Sequence, residues 1–378
     1  MAFVLLFECT SSLWPALYTR VGTMLAIEAP SWFALVSRWS WFFQRDFPLV
    51  FRIKKAFMRF FLDTNIWSYI ANEGAGAELV TTARAAGVDI VVSPAVVDEV
   101  QQLPVPEARR KVLQLLTRKD WKRLMPEVFS ECAEIKSQII KLRPEWVIAE
   151  PNMKEFNRLR YDWVRRAGGY WDRARREIET PPTNESVRRD EEARLAVEES
   201  FAIRQRLVKA KPGGHTHLEY IGHIPEAGTP GWTGNPVHYW RVPSLHMFKT
   251  ELQVYESAVS EWLDCEIDVQ AMLSSPESMN RLWLHELDPA AVPRQWLRGS
   301  FEFLQAWHKV TPGTPGDTRL ATHLVDADII ISADKNFVRF AERCREDAPF
   351  KIGKTLCARA NRAGVDDVMQ WISKPDTL

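Results

Sequence analysis

Short apolar runs alternate with helix-length stretches at two places in the chain, once from Arg59 onward and once near the C-terminus. The first begins with RFFL, continues through the polar triplet Asp63-Thr64-Asn65, and enters a stretch of helical spacing, IWSYIANEGAGAELVTTARAAG. A second apolar run, Asp89 to Ser93 (DIVVS), precedes PAVVDEVQQL, where Pro94 suits a first helical turn. PEARRKVLQLLTRKDWKRL, from Pro106 to Leu124, reads as a further amphipathic helix. The same grammar returns in DTRLATHLVDA as helix, DIIIS (Asp328 to Ser332) as buried strand, and KNFVRFAERCRED as helix. Short apolar strands alternating with helices predict an α/β domain around a parallel sheet.

Between the two blocks the pattern changes. Residues 126–210 read as helical and highly charged, 211–246 are crowded with Gly, Pro and His and read as loop, and 247–310 turn helical again. The expected organisation is a core split into 58–125 and 291–378 by a mainly helical insertion at 126–290 of roughly 165 residues. Residues 1–57 look foreign to the rest: they are rich in Trp, Phe and Leu, without clear periodicity. Glu8, Arg20, Glu28 and Pro30 interrupt their apolar runs. They meet the requirements of neither a spanning helix nor an export signal. MRFFLDTNIW opens directly on a strand, so Met58 is the expected start of the natural product and 1–57 an extension from a start-site error.

Composition narrows the picture modestly. In 378 residues, 46% hydrophobic side chains are ample for a sizeable core, and 49 basic against 49 acidic groups leave any nucleic-acid partner to local patches. Five scattered cysteines (Cys9, Cys132, Cys265, Cys344, Cys357) contain no Cys-x-x-Cys pair, which argues against a disulfide framework or zinc knuckle and suits a reducing, cytoplasmic setting without a membrane.

The candidate chemistry lies in four acids. Asp63 follows the first strand, Glu99 sits about one turn into the helix after the second, Asp317 opens a helix, and Asp334 follows the last strand. The carboxyl ends of parallel strands share one edge, where ligand crevices form, so the four can converge. Singly, Asp63 and Asp317 are good helix N-caps, Asp334 is a good turn residue and Glu99 a solvated helix acid. Clustered, such carboxylates repel one another and bind protons or cations, and their hard oxygens suit Mg²⁺ or Mn²⁺.

As a set, FLDTN, VSPAVVDEV and GDTRLATHLVDADIIISADKNF resemble the three signature blocks of the PIN-domain nucleases, over residues 58–104 and 312–340. The resemblance implies a three-layer fold with a central parallel sheet and a metal-dependent endoribonuclease acting on RNA. Asp63 and Asp334 would then be direct metal ligands, Glu99 and Asp317 ligands or water-positioning bases, and Asn65 and Ser332 groups that hold carboxylates. Asp98, Asp326 and Asp328 are neighbouring acids. The spacing from Ser93 selects Glu99 over Asp98, which lies about 100° away around a helix. Some family members are toxins with an inhibitory protein partner, a role the insertion puts in doubt because the compact members lack it. The alternatives are an RNA- or protein-binding module that keeps the fold without cutting, and a phosphatase of the haloacid-dehalogenase type. The latter is disfavoured because Asn65 stands where a second Asp is needed.

Two further features stand out. Residues 157–176 carry seven Arg against two Asp, interleaved with Tyr161, Trp163, Tyr170 and Trp171. Arg165, Arg166, Trp171, Arg175 and Arg176 are candidates for phosphate contact and base stacking, the alternative being a solvated helical pair whose aromatics pack on the core. His215, His217, His223, His238 and His246 cluster without zinc spacing and fit a flexible loop or lid.

Overall fold

In the run Arg59–Leu62, Phe60, Phe61 and Leu62 are all buried, as expected of a strand covered on both faces. It forms β1, the middle strand of a five-stranded, wholly parallel sheet in the computed structural model. The structure describes residues 57–176, 222–254, 257–308 and 314–378, with a few positions between 194 and 205. The expected extension at 1–57 and His215 and His217 therefore lie outside the described residues, except for Phe57.

From β1 the chain passes through α1 (Thr64–Asn72) and α2 (Gly76–Ala86) to β2 (Asp89–Val92), then through α3 (Pro94–Gln101) and α4 (Pro106–Leu116) to β3 (Lys122–Arg123). After the intervening helices come α12 (Pro293–Ala306), α13 (Thr314–Ala321), β6 (Ile329–Ser332), α14 (Lys335–Asp347), β7 (Lys354–Cys357) and α15 (Asn361–Ser373). The strand order is β3-β2-β1-β6-β7. Phe61 is level with Val91 on one side and Ile330 on the other, and Ser332 is level with Cys357. Every strand therefore ends at the same edge.

The α/β class and parallel sheet expected from the pattern are present. The stretch Pro106–Leu124 is not one helix. It ends at Leu116, where Thr117 Oγ1 donates back to Leu113 O at 2.7 Å and the buried Trp121 indole donates to Leu115 O at 2.7 Å. Trp121 also packs against the Trp67 ring, and that contact turns the chain into the short edge strand β3. The expected helix at 317–327 is likewise shorter: α13 gives way to a 3₁₀ turn at Thr322–Val325, and Asp317 lies in its first turn rather than at its cap.

Between β3 and α12 lie α5 (Glu127–Leu142), α6 (Met153–Val164), α7 (Tyr170–Arg176), the strand pair β4 (Gly222–His223) and β5 (Val237–His238), α8 (Arg241–Gln253), α9 (Ala258–Leu263), α10 (Val269–Leu273) and α11 (Pro276–Arg281). This stretch is not a separate body. Cys132, Ile135 and Ile139 of α5, with Trp262 and Trp283, belong to the same apolar core as Phe60, Phe61 and Phe301. Buried ion pairs add to the contact: Arg298 pairs with Glu131, and Arg294 bridges Glu134 and Asp326. Burial is the larger influence on Glu134 and pushes its carboxyl up to about 7 despite Arg294.

The expected loop at 211–246 is ordered in its described part. It is mostly turn and loop there, with the two-residue strands β4 and β5 paired and α8 beginning at Arg241, which is buried and donates to Trp283 O and Leu287 O at 2.7 and 2.8 Å.

Candidate active site

Two of the four acids owe their positions to helix capping. Asp63 sits between β1 and α1 as N-cap, accepting from the Thr64 amide, and its own amide continues the ladder by donating to Ile331 O at 2.9 Å. Asp334 caps α14, accepting from the amides of Asn336 and Phe337 at 2.6 and 3.1 Å. Capping satisfies the otherwise unpaired amides of a helix start. Here it also pins both carboxylates to the sheet edge, on adjacent strands.

The acids are tied together by neutral side chains. Asp63 Oδ2 accepts from Ser332 Oγ and from Asn65 Nδ2, the latter at 2.8 Å. Ser332 Oγ in turn accepts from the Asp334 amide at 2.9 Å, and Asn65 Oδ1 from the Ala333 amide at 3.0 Å. Thr64 Oγ1 donates to Glu99 Oε2 at 2.7 Å. Ser93 caps α3 and sets the phase that turns Glu99 toward Thr64. Asp98, one position earlier, turns instead toward Tyr170 and Arg319.

Electrostatics bring Asp317 into the group. Its carboxyl is pushed up to about 8, first by burial and then by the charges of Asp63, Asp334 and Glu99. Burial, followed by neighbouring carboxylates, also raises Asp63 and Glu99, although hydrogen bonds from Ser332, Thr64 and Asn65 oppose this. Asp63 is only 5% exposed. Arg319, whose charge is felt at Glu99, is committed to Glu127 at 2.7 Å and Asp98 at 3.3 Å. Ionisation of these acids is thus resisted, and no ion pair among the described residues offsets the charge they carry when ionised.

That charge is the feature a divalent cation would neutralise, and the donors are all carboxylate oxygens, the chemistry Mg²⁺ and Mn²⁺ prefer. Among the described residues no group of three or more His, Cys, Asp or Glu side chains is placed so that it could hold a metal ion as it stands. The donor set fits such an ion in charge and chemistry.

Other expected contacts fall differently. Trp171, read as a base-stacking candidate, is 1% exposed and lies beneath the Arg123 guanidinium, 5.2 Å from its ring centre. Its faces are spent on packing, which removes it as an RNA platform. Arg165 pairs with Asp162 at 2.9 Å and Arg176 with Asp172 at 2.6 Å, whereas Arg166 and Arg175 are exposed. Asp326 serves Arg294 and His323, and Asp328 accepts from the Arg59 amide.

The sequence reading missed Thr64 as a carboxylate holder, and it missed the Arg319–Asp98–Glu127–Tyr170 cluster. Arg319 lies two positions after Asp317, and that spacing was the only local signal available. Among the described residues no helix is long and apolar enough to cross a membrane. Comparison of the chain with protein-family models, curated proteins and solved structures gave no match.

Proposed function

We propose that this protein is a Mg²⁺- or Mn²⁺-dependent endoribonuclease of the PIN type that hydrolyses phosphodiester bonds at the carboxyl edge of its sheet. The observation that carries this reading is that Asp63, Glu99, Asp317 and Asp334, drawn from four separate segments, lie within one another's electrostatic reach with no ion pair among the described residues to offset them. Local structural duties do not require acids from four segments to influence one another. The motifs around them supply the nuclease reading.

Asp63 and Asp334 would hold the metal directly, with Glu99 and Asp317 completing its surroundings. Bound there, such an ion supplies Lewis acidity and neutralises charge on the attacked phosphate. The chain's own residues do the rest. Ser332 and Asn65 fix the Asp63 carboxylate, and Thr64 fixes that of Glu99. Glu99 and Asp317, with their raised proton affinity, can take the proton from an attacking water at a carboxylate oxygen. No covalent nucleophile is then required.

Asn65 donates to Asp63 and receives the Ala333 amide, so its amide is engaged as a brace and offers no proton. This weighs against the phosphatase alternative. The test is cleavage of single-stranded RNA with Mg²⁺ or Mn²⁺, expected to stop on chelation. Equal cleavage in chelator would refute the metal dependence.

A further inference from the structure

The carboxyl edge of the sheet is not symmetric about the acids. On the far side of β6, at the end of β7, the cations are spent: Arg359 pairs with Asp367 at 2.6 Å and Arg362 with Asp366 at 3.0 Å. On the opposite side, beyond β2, Arg319 is held by Glu127 and Asp98, but Arg123 and Arg175 are in no ion pair among the described residues.

Arg123 is the last residue of β3, level with Val92 of β2. That places it two strand spacings, about 10 Å, from the end of β1 and Asp63. Its Nη2 donates to Thr117 O at 3.0 Å, its guanidinium lies over Trp171, and its buried Nε has no hydrogen-bond partner. No carboxylate among the described residues pairs with it. Arg175, one helical turn after Trp171, is exposed and in no ion pair among the described residues, whereas Arg165, Arg173 and Arg176 are paired with Asp162 or Asp172. Burial and the charge of Arg175 both push the Arg123 guanidinium down. Asp172, already paired with Arg176, offsets only part of this, and an anion would relieve the rest.

Direct contacts carry the patch as far as Asp98, the residue before Glu99 on α3. Arg319 touches Asp98 at 3.3 Å, the Tyr170 hydroxyl donates to Asp98 at 2.8 Å, and the Tyr170 and Trp171 rings meet edge to face at 5.5 Å. Trp171 in turn carries Arg123.

We infer that Arg123 and Arg175 mark a lane along the β1–β2–β3 side of the sheet edge that seats the phosphodiester backbone of a single-stranded substrate entering the acidic centre. Guanidinium forks match phosphate oxygens in pairs, and a row of them reads backbone rather than base. The lane rests on the nuclease reading for its substrate and adds direction to it: the strand approaches from β3, not from β7. It also gives part of the long segment between β3 and β6 a role, because α7 supplies Arg175 and the Trp171 under Arg123.

The test is binding of a short fluorescent single-stranded RNA to the full chain with metal chelated, by anisotropy at about 0.05 and 0.2 M salt, alongside cleavage with Mn²⁺. Arg175→Glu should weaken binding roughly five- to tenfold and lower the salt slope by about one, and Arg175→Gln should show a smaller loss in the same direction. Arg362→Glu makes the same change in net charge on the β7 side and should stay within about twofold of the unmutated chain. Unchanged binding in both Arg175 variants overturns the lane, as does an equal loss in Arg362→Glu. If the unmutated chain binds RNA with this pattern and does not cut, the nuclease reading falls and the lane stands. If it cuts but ignores Arg175, only the lane falls, and if it neither binds nor cuts, both fall.

Discussion

Ser332, at the end of β6, donates its hydroxyl to the carboxylate of Asp63, at the end of β1, across 269 positions of sequence. The same oxygen accepts from the Asp334 amide at 2.9 Å. One hydroxyl therefore spaces two of the four acids, and it joins the two halves of the sheet at the point where the proposed chemistry takes place.

Ser332→Ala should leave one Asp63 oxygen with Asn65 as its remaining side-chain donor and the Asp334 amide without its acceptor. Removing a buried partner in this way costs about 1–3 kcal/mol, read as a drop in denaturation midpoint. Loss of a group that orients a ligand should also raise the Mn²⁺ concentration needed for half-maximal cleavage by about 10–100-fold. An unchanged metal requirement would show that Ser332 braces the fold alone.

Asp63→Asn and Asp334→Asn keep side-chain size while removing the charge that would hold a cation. Each should abolish metal-dependent RNA cleavage with the circular dichroism spectrum unchanged. Added Mn²⁺ should raise the melting temperature of the unmutated chain and not that of the variants, because only a folded state that binds the ion is stabilised by it. Full cleavage by purified Asp63→Asn would remove the acidic cluster as the site.

Asp317 gives the pH dependence. Its carboxyl ordinarily titrates near 3.8 and in the folded chain at about 8, so between those values the folded state holds a proton that the unfolded state has lost. Stability without metal should therefore be highest below that window, where the carboxyl is protonated in both states, and fall as pH rises through it. In chelator, Asp317→Asn should melt several degrees above the unmutated chain at pH near 8, with the gap closing near pH 4. A gap that is constant across pH would mean that neither burial nor the neighbouring acids raise this carboxyl.

Gly299 lies in α12, where an added Cβ would come within 2.5 Å of Trp240 Cβ and 2.8 Å of its Cα. Backbone cannot yield as a flexible side chain can. Gly299→Ala should therefore push α8 off α12 and cost about 1–3 kcal/mol in urea unfolding, while cleavage at low temperature is retained. No change in the midpoint would mean that the two helices are free to separate at this contact.

What the sequence determined by itself was whatever is written locally. β1, β2 and β6 are buried on both faces, so they appear as unbroken apolar runs, and the polar residue after each marks where the strand stops. That alone places Asp63, Ser93 and Asp334 at one edge of a parallel sheet. The edge strands β3 and β7 carry Lys122, Arg123 and Lys354, half facing water, and had no such signature.

Tertiary structure alone decided the pairings. The 3.6-residue turn that separates Asp98 from Glu99 sends them to different partners, but only the arrival of Arg319, 221 positions away, and Tyr170, 72 away, shows which partners these are. Likewise, seven arginines in 157–176 look alike in sequence. Arg165, Arg173 and Arg176 fold onto nearby acids, and Arg175 is left to solvent beside Arg123. Spacing fixes the direction in which a side chain leaves its own helix or strand, and packing between elements distant in sequence fixes what it meets there.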